Sequence, residues 1–272
     1  MKQSQLKTLK GEIINLAKEF GPIGVRGLYY QAVCAGVLDK TESDYNLLQR
    51  QVTQLRISGD IGWDLITDCS RNVQTVSTWD NIQEIIDTAT RQFKLDIWKD
   101  QECRVQIWLE KEGLAPLLED IIERFRVPIY PSKGFSSLSF TRKAALEAVE
   151  WLEAGQKVFV LQFGDYDPSG VCIAESLENQ YTLFGAGKVE MRRVGLNKEH
   201  IEQFNLNTRE TKNSDTRHKN FGDDRSVELD AIPPKQFKAW VTSEIQQYID
   251  WSRWNDSLKE EETQRATIIR NN

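Results

Sequence analysis

The sequence predicts an α/β protein in two parts. A helical N-terminal module comes first, followed by a mainly parallel four-stranded sheet with helices on both faces. Two observations carry this expectation. From Gln101 to Val194, short apolar runs alternate with segments of helical period, in the order βαβαβαβ. That alternation implies parallel strands joined by crossover helices. The first hundred residues instead carry three helical segments and then a short extended stretch.

In chain order, "LKTLKGEIINLAKEF" is a helix ending at Gly21-Pro22. "VRGLYYQAVCAG" is a second helix, and "ESDYNLLQRQVTQLRISG" is a third, closed by Gly59. "IGWDLITDCS" reads as short extended structure. Three helices and a small β element form the pattern of a winged helix, a DNA-binding module. The third helix carries Arg50 and Arg56 beside Tyr45 and several glutamines. That set suits a DNA groove, and it equally suits the solvated face of a helical bundle. "NIQEIIDTATRQFKLDIW" is a helix linking the two halves. The resulting division is a winged-helix module over 1–80, a linking helix over 81–100, a sheet domain with a C-terminal extension over 101–254, and a charged tail over 255–272.

In the second half, "CRVQIWL" is a strand ending at Glu110. "GLAPLLEDIIERF" is an amphipathic helix, with Leu114, Leu117, Leu118, Ile121, Ile122 and Phe125 on one face. "VPIY" is a short strand, "SFTRKAALEAVEWLEAG" a helix, "KVFVLQF" a strand, "GVCIAESLENQYTLF" a helix and "KVEMRRV" a strand. Sites in such sheets form beyond the carboxyl ends of the strands. Glu110 ends the first strand, and Asp165 and Asp167, in "GDYDPSG", end the third. The three carboxylates therefore share one sheet edge, where a common cation would relieve their repulsion. An oxygen-only set suits Mg²⁺ better than Zn²⁺. The same residues also fit a plain turn at Asp167-Pro168 with Glu110 capping the next helix.

"IPPKQFKAWVTSEIQQYIDWSRW" is a helix begun by two prolines, and the charged tail after Trp254 is a frayed helix. "LNTRETKNSDTRHKNFG" carries Arg209, Lys212, Arg217 and Lys219, a basic loop and a candidate phosphate contact. A phosphate-binding loop in "LFGAGKVE" is excluded, because Thr182 stands where that motif needs glycine and Val189 where it needs Ser or Thr. The 272 residues, 39% apolar and 28% charged, have ordinary globular composition. No stretch is long and apolar enough for a bilayer, and "MKQSQLKTLKGE" lacks a signal-peptide core, so a cytoplasmic protein is expected. The four cysteines form no CxxC, which argues against structural zinc. A net charge of −6 runs against a nucleic-acid partner, although local basic clusters can still bind phosphate.

Taken together, "IWLEKEG" and "GDYDPSG" resemble the TOPRIM domain. With "VRGLYY" about eighty residues before the glutamate, they resemble the A subunit of topoisomerase VI and its relative, the meiotic double-strand-break protein. "PIGVRGLYYQAV", "SKGFSSLSFTR" and "SVELDAIPP" resemble the short stand-alone relatives in bacteria and phages. The resemblance spans roughly Pro22 to Asp250. It implies that Tyr30 is the nucleophile, with Arg26 four residues earlier on the same helical face. It implies that Glu110, Asp165 and Asp167 hold Mg²⁺, and that a homodimer cuts double-stranded DNA, the tyrosine of one protomer meeting the metal of the other.

The implied chemistry is coherent. A phenol with a pKa near ~10 is a weak nucleophile at neutral pH and needs help. Arg26 and Mg²⁺ would stabilise the charges that develop, and a tyrosine linked to the 5′ end would conserve the bond for religation. Lys133, Arg142 and Lys143, in "PSKGFSSLSFTRK", are candidates to clamp the DNA backbone, as is Lys111. Nothing in the chain resembles the ATPase of the B subunit, so ATP-coupled strand passage would need a separate ATPase subunit. Two alternatives stay open: a TOPRIM nuclease that uses water, and a DNA-binding protein without turnover.

Overall fold

The computed structural model describes residues 3–67, 76–132, 134, 136–210 and 221–270. The N-terminal module comprises α1 (Gln3–Phe20), β1 (Ile23–Gly24), α2 (Val25–Cys34), α3 (Glu42–Ser58) and β2 (Ile66–Thr67). Residue 21 after α1 is glycine because a Cβ there would lie 2.6 Å from the Ala17 carbonyl oxygen, and Pro22, with no N–H, cannot continue the helix. Thr41 caps α3 by accepting from the Asp44 amide, and Gly59 ends it at φ 83°. Ile13, Leu28, Leu48 and Val52 form the core between the three helices. β1 and β2 pair in parallel, Ile23 with Ile66. The rest of the small β element expected up to residue 70 lies outside the described residues.

The linking helix is shorter than its sequence pattern. α4 (Ile82–Gln92) stops before Phe93, although the expectation ran to Trp98. The reason is tertiary. Ile97 and Trp98 turn into the sheet core, and Trp98 Nε1 donates to the Phe125 carbonyl at 2.6 Å. Side chains of a distant helix take the released backbone groups. Glu261 accepts from the Leu95 amide at 2.7 Å, and Arg265 donates to the Phe93 carbonyl at 2.9 Å.

β3 (Cys103–Leu109), β4 (Ile129–Pro131), β5 (Lys157–Phe163) and β6 (Glu190–Gly195) form a parallel sheet in the order β4-β3-β5-β6. The α/β class with a parallel four-stranded sheet is therefore as expected. Side chains alternate across the strands. Val105, Ile107 and Leu109 join one core with Leu118, Phe125, Phe237 and Trp254. Trp108, Val158 and Val160 join the opposite one with Ala144, Ala148 and Tyr181. Those partners lie on a 3₁₀ turn (Leu118), α5 (Glu119–Phe125), α6 (Leu138–Glu153), α7 (Pro168–Leu183), α9 (Pro234–Gln246) and α10 (Trp251–Arg270), with α8 (Lys198–Gln203) between β6 and the C-terminal helices.

Two further helices differ from the sequence expectation. "GLAPLLEDIIERF" divides into a 3₁₀ turn, Glu112–Leu118, followed by α5. Pro116, which has no N–H to donate, lies in the 3₁₀ part. The single C-terminal helix is two helices. Asp250 breaks it, its amide donating to Gln101 Oε1 at 2.7 Å while its carboxylate accepts the Ser252 amide at the start of α10. The segment read as a frayed tail continues α10. Its Glu261 is buried and pairs with Arg126 at 2.5 Å and Arg265 at 2.7 Å. A short antiparallel pair, β7 (Arg209–Glu210) with β8 (Arg225–Ser226), leads into a 3₁₀ turn, Leu229–Ala231. Among the described residues, no helix is long and apolar enough to cross a membrane.

Candidate functional site at the strand ends

Glu110 follows β3 and Asp165 follows β5, so the parallel register brings them together. The Asp165 amide donates to Glu110 Oε2 at 2.9 Å. Asp165 is 4% exposed, and its carboxylate is held on both sides. Lys111 Nζ lies 2.7 Å from Oδ2, and the Leu229 amide donates to Oδ1 at 2.9 Å. Asp167 caps α7 by accepting the Gly170 amide at 2.6 Å. The glycines of "GDYDPSG" have steric reasons. A Cβ on Gly164 would lie 2.6 Å from Glu110 Oε2, and one on Gly170 would lie 2.3 Å from the Asp165 carbonyl oxygen. Arg193 Nη2 donates to that same carbonyl at 2.7 Å.

Burial sets the electrostatics. It pushes the Glu110 carboxyl up to about 7, with Asp165 adding to the shift. Asp165 is raised for the same first reason, although Lys111 and the Leu229 amide oppose the shift. Burial pushes Asp230 up to about 6. Lys111 experiences the opposite balance: burial disfavours its charge, but Asp165, Asp230 and Glu228 raise its pKa above the ordinary lysine range.

Tyr30 belongs to the same neighbourhood. It is 6% exposed, and Arg26 Nη2 donates to its hydroxyl at 3.3 Å. Lys40 Nζ stands 4.5 Å from the ring centroid. Burial, with Glu228 beside the hydroxyl, pushes Tyr30 up to about 12. A single stretch, Val227 to Asp230, joins this helix to the aspartate loop. Val227 pairs with Tyr166, and the Leu229 amide bonds Asp165. The Asp230 carbonyl accepts from Gln31 at 3.3 Å, and Glu228 pairs with Lys40 at 3.6 Å and Arg209 at 2.8 Å. "SVELDAIPP" carried this signal as two acids at i and i+2, but its connection to Asp165 and Tyr30 is visible only in three dimensions. Lys40, Glu228, Asp230 and Arg193 are the residues that sequence reasoning did not assign.

The remaining candidates are dispersed. Arg50 is exposed on α3 and donates to the Asn46 carbonyl at 3.3 Å. Arg56 stacks over Trp63 at 4.3 Å. Arg142 and Lys143 are exposed near the start of α6. Lys111 points at Asp165 instead of lying free for a DNA backbone. Lys133 lies outside the described residues, as do Lys212, Arg217 and Lys219 of the basic loop.

The donor chemistry of Glu110, Asp165 and Asp167 is that of a hard cation site, but their geometry is not. Among the described residues, no group of three His, Cys, Asp or Glu side chains converges to hold a metal ion. Asp165 faces Lys111, Glu110 receives an amide, and Asp167 caps a helix. In this arrangement the Lys111 ammonium takes an Asp165 oxygen that a cation would take, and the three carboxylates, as they stand, do not converge to fit Mg²⁺.

Fold and site together define an α/β protein with a buried acid–lysine cluster at the carboxyl edge of a parallel sheet, tied to a buried tyrosine. No family model, curated protein or solved structure matches the chain.

Proposed function

We propose that the chain is a DNA-strand-cleaving enzyme of the topoisomerase VI A type, with Tyr30 as nucleophile. On this reading the parallel sheet is a TOPRIM domain and the N-terminal helices are a winged-helix module. One observation carries the reading. Tyr30 and Asp165 of "GDYDPSG" are far apart in sequence, yet the stretch Val227 to Asp230 touches both. In the proposed reaction the Tyr30 oxygen attacks a DNA phosphorus and loses its proton to solvent. The bond to the 3′ oxygen breaks, and that oxygen takes up a proton. The products are a 5′-phosphotyrosyl end and a free 3′ hydroxyl, and the reverse reaction religates them. Arg26 is placed to offset negative charge on the phenol oxygen and the phosphate. Cutting both strands takes two copies, hence a homodimer, and coupling to ATP takes a second protein.

The test is supercoiled plasmid incubated with the protein and quenched by detergent, with and without protease. Linear DNA that enters a gel only after protease supports the reading. A second reading, hydrolysis by activated water, draws on a different observation. A carboxyl at about 7, as in Glu110, is tuned for general-base work near neutral pH, while Tyr30 is buried and pushed up to about 12. Free ends without protease treatment would favour this nuclease.

A further inference from the structure

The Glu228 carboxylate has an unusual setting. Each oxygen faces its own cation: Oε1 lies 2.8 Å from Arg209 and Oε2 lies 3.6 Å from Lys40. Oε2 is buried and accepts no hydrogen bond within normal geometry. The same Lys40 stands over the Tyr30 ring at 4.5 Å, and Arg26 bonds the Tyr30 hydroxyl at 3.3 Å. Lys40 and Arg26 thus flank the tyrosine, and Lys40 and Arg209 share one carboxylate with two oxygens beside it. A phosphodiester also carries a single negative charge on two terminal oxygens. Exchanging one for the other keeps the local charge unchanged and gives each cation an oxygen again.

We propose that Glu228 is an internal stand-in for phosphate: its carboxylate occupies an anion site built by Lys40 and Arg209 next to Tyr30 and Arg26, and a DNA phosphodiester takes its place. The proposal deepens the reading of Tyr30 as nucleophile by naming what holds the phosphate. It also accounts for the burial of the Tyr30 hydroxyl. The groups that cover it are the ones that must turn toward an incoming phosphate, so the nucleophile is shielded until substrate arrives.

The experiment measures binding of a short labelled DNA duplex to the full-length chain at fixed low salt, without any cleavage readout. Glu228→Gln keeps the shape and removes the competing charge, so affinity should rise about tenfold, and inorganic phosphate should compete better than in the wild type. Unchanged or weaker duplex binding by folded Glu228→Gln overturns the proposal. Tighter duplex binding without better phosphate competition places the gain elsewhere and overturns it too. Arg209→Gln, at an exposed residue, keeps the test available if Glu228→Gln fails to fold. Its duplex affinity should fall about tenfold with an unchanged melting temperature, and unchanged affinity sinks the idea. A rise in Glu228→Gln affinity, together with no cleavage by the wild type in the separate plasmid assay, would leave the anion site standing and count against the nucleophile alone.

Discussion

The Leu229 amide donates to Asp165 Oδ1 at 2.9 Å, across 64 residues of chain. Lys111 holds the other oxygen of that carboxylate at 2.7 Å. Asp165 therefore has no oxygen free of a partner, and its charge is matched from within the chain. The cluster is organised by contacts of the fold, and the lysine is its resident cation.

Removing that cation leaves a buried charge exposed to its own desolvation. Lys111→Met should destabilise the protein by about 3 kcal/mol, the usual cost of breaking one side of a buried pair. Urea unfolding measures it. The same variant vacates the position facing Asp165, so Mg²⁺ should raise its melting temperature more than it raises that of the wild type. Equal Mg²⁺ responses would show that Lys111 does not occupy a cation position.

Stability should also depend on pH through Glu110 and Asp230. Both carboxyls are raised in the folded state, to about 7 and about 6, chiefly by burial. Between the ordinary carboxylate range and those values, the folded chain holds protons that the unfolded chain has released. Stability then falls as pH rises. The contribution is fully present near pH 4 and is lost as pH rises through about 6 and 7. Chemical denaturation in chelator-treated buffer from pH 4.5 to 7.5 should show this decline, and Glu110→Gln should flatten it. A profile that is unaltered in Glu110→Gln would assign the slope to other groups.

Far from the site, Glu261 anchors α10. It accepts from Arg126, Arg265 and the Leu95 amide, so one carboxylate fixes the C-terminal helix to the linker before β3. Glu261→Ala strands two arginines and an amide, and should cost about 3 kcal/mol. A change within about 0.5 kcal/mol, the range of ordinary surface substitutions, would mean that the helix is held by its apolar face alone.

The four strands were legible because each is an apolar run bounded by turns, and Glu110 and Asp165 because strand ends fall on one edge. The helices that misled were those decided by distant partners. The period of "SEIQQYIDWSRW" runs on through Asp250, and only its bond to Gln101, 149 residues away, breaks the helix. Likewise, Lys111 is adjacent to Glu110 in sequence, which does not reveal that it pairs with Asp165. The roles of Lys40 and Glu228 depend on α2 packing against the 3₁₀ turn at Leu229–Ala231, a contact with no local pattern. Asp167, in contrast, does what a D-P-x-G turn predicts by itself, capping a helix begun by proline.

The last test separates tyrosine chemistry from hydrolysis. Tyr30→Phe deletes one hydroxyl and keeps the ring. The hydroxyl bonds Arg26 and sits beside Glu228, while the ring packs with Tyr29 at 5.7 Å. Folding and DNA binding should therefore be nearly intact, with a stability change of about 1 kcal/mol for the lost hydrogen bond. With Tyr30 as nucleophile, cleavage and the protein-linked 5′ end disappear together. With water as nucleophile, Tyr30→Phe still cuts. Asp165→Asn provides the control. It leaves Lys111 and the Leu229 amide facing a neutral side chain, so it should impair either mechanism through the collapse of the acid–lysine cluster. Protein-bound, religatable DNA from Tyr30→Phe would move the role to Tyr29, whose hydroxyl instead donates to the Thr41 carbonyl at 2.9 Å. Free ends at the wild-type rate from Tyr30→Phe would rule out the covalent reading and leave the nuclease.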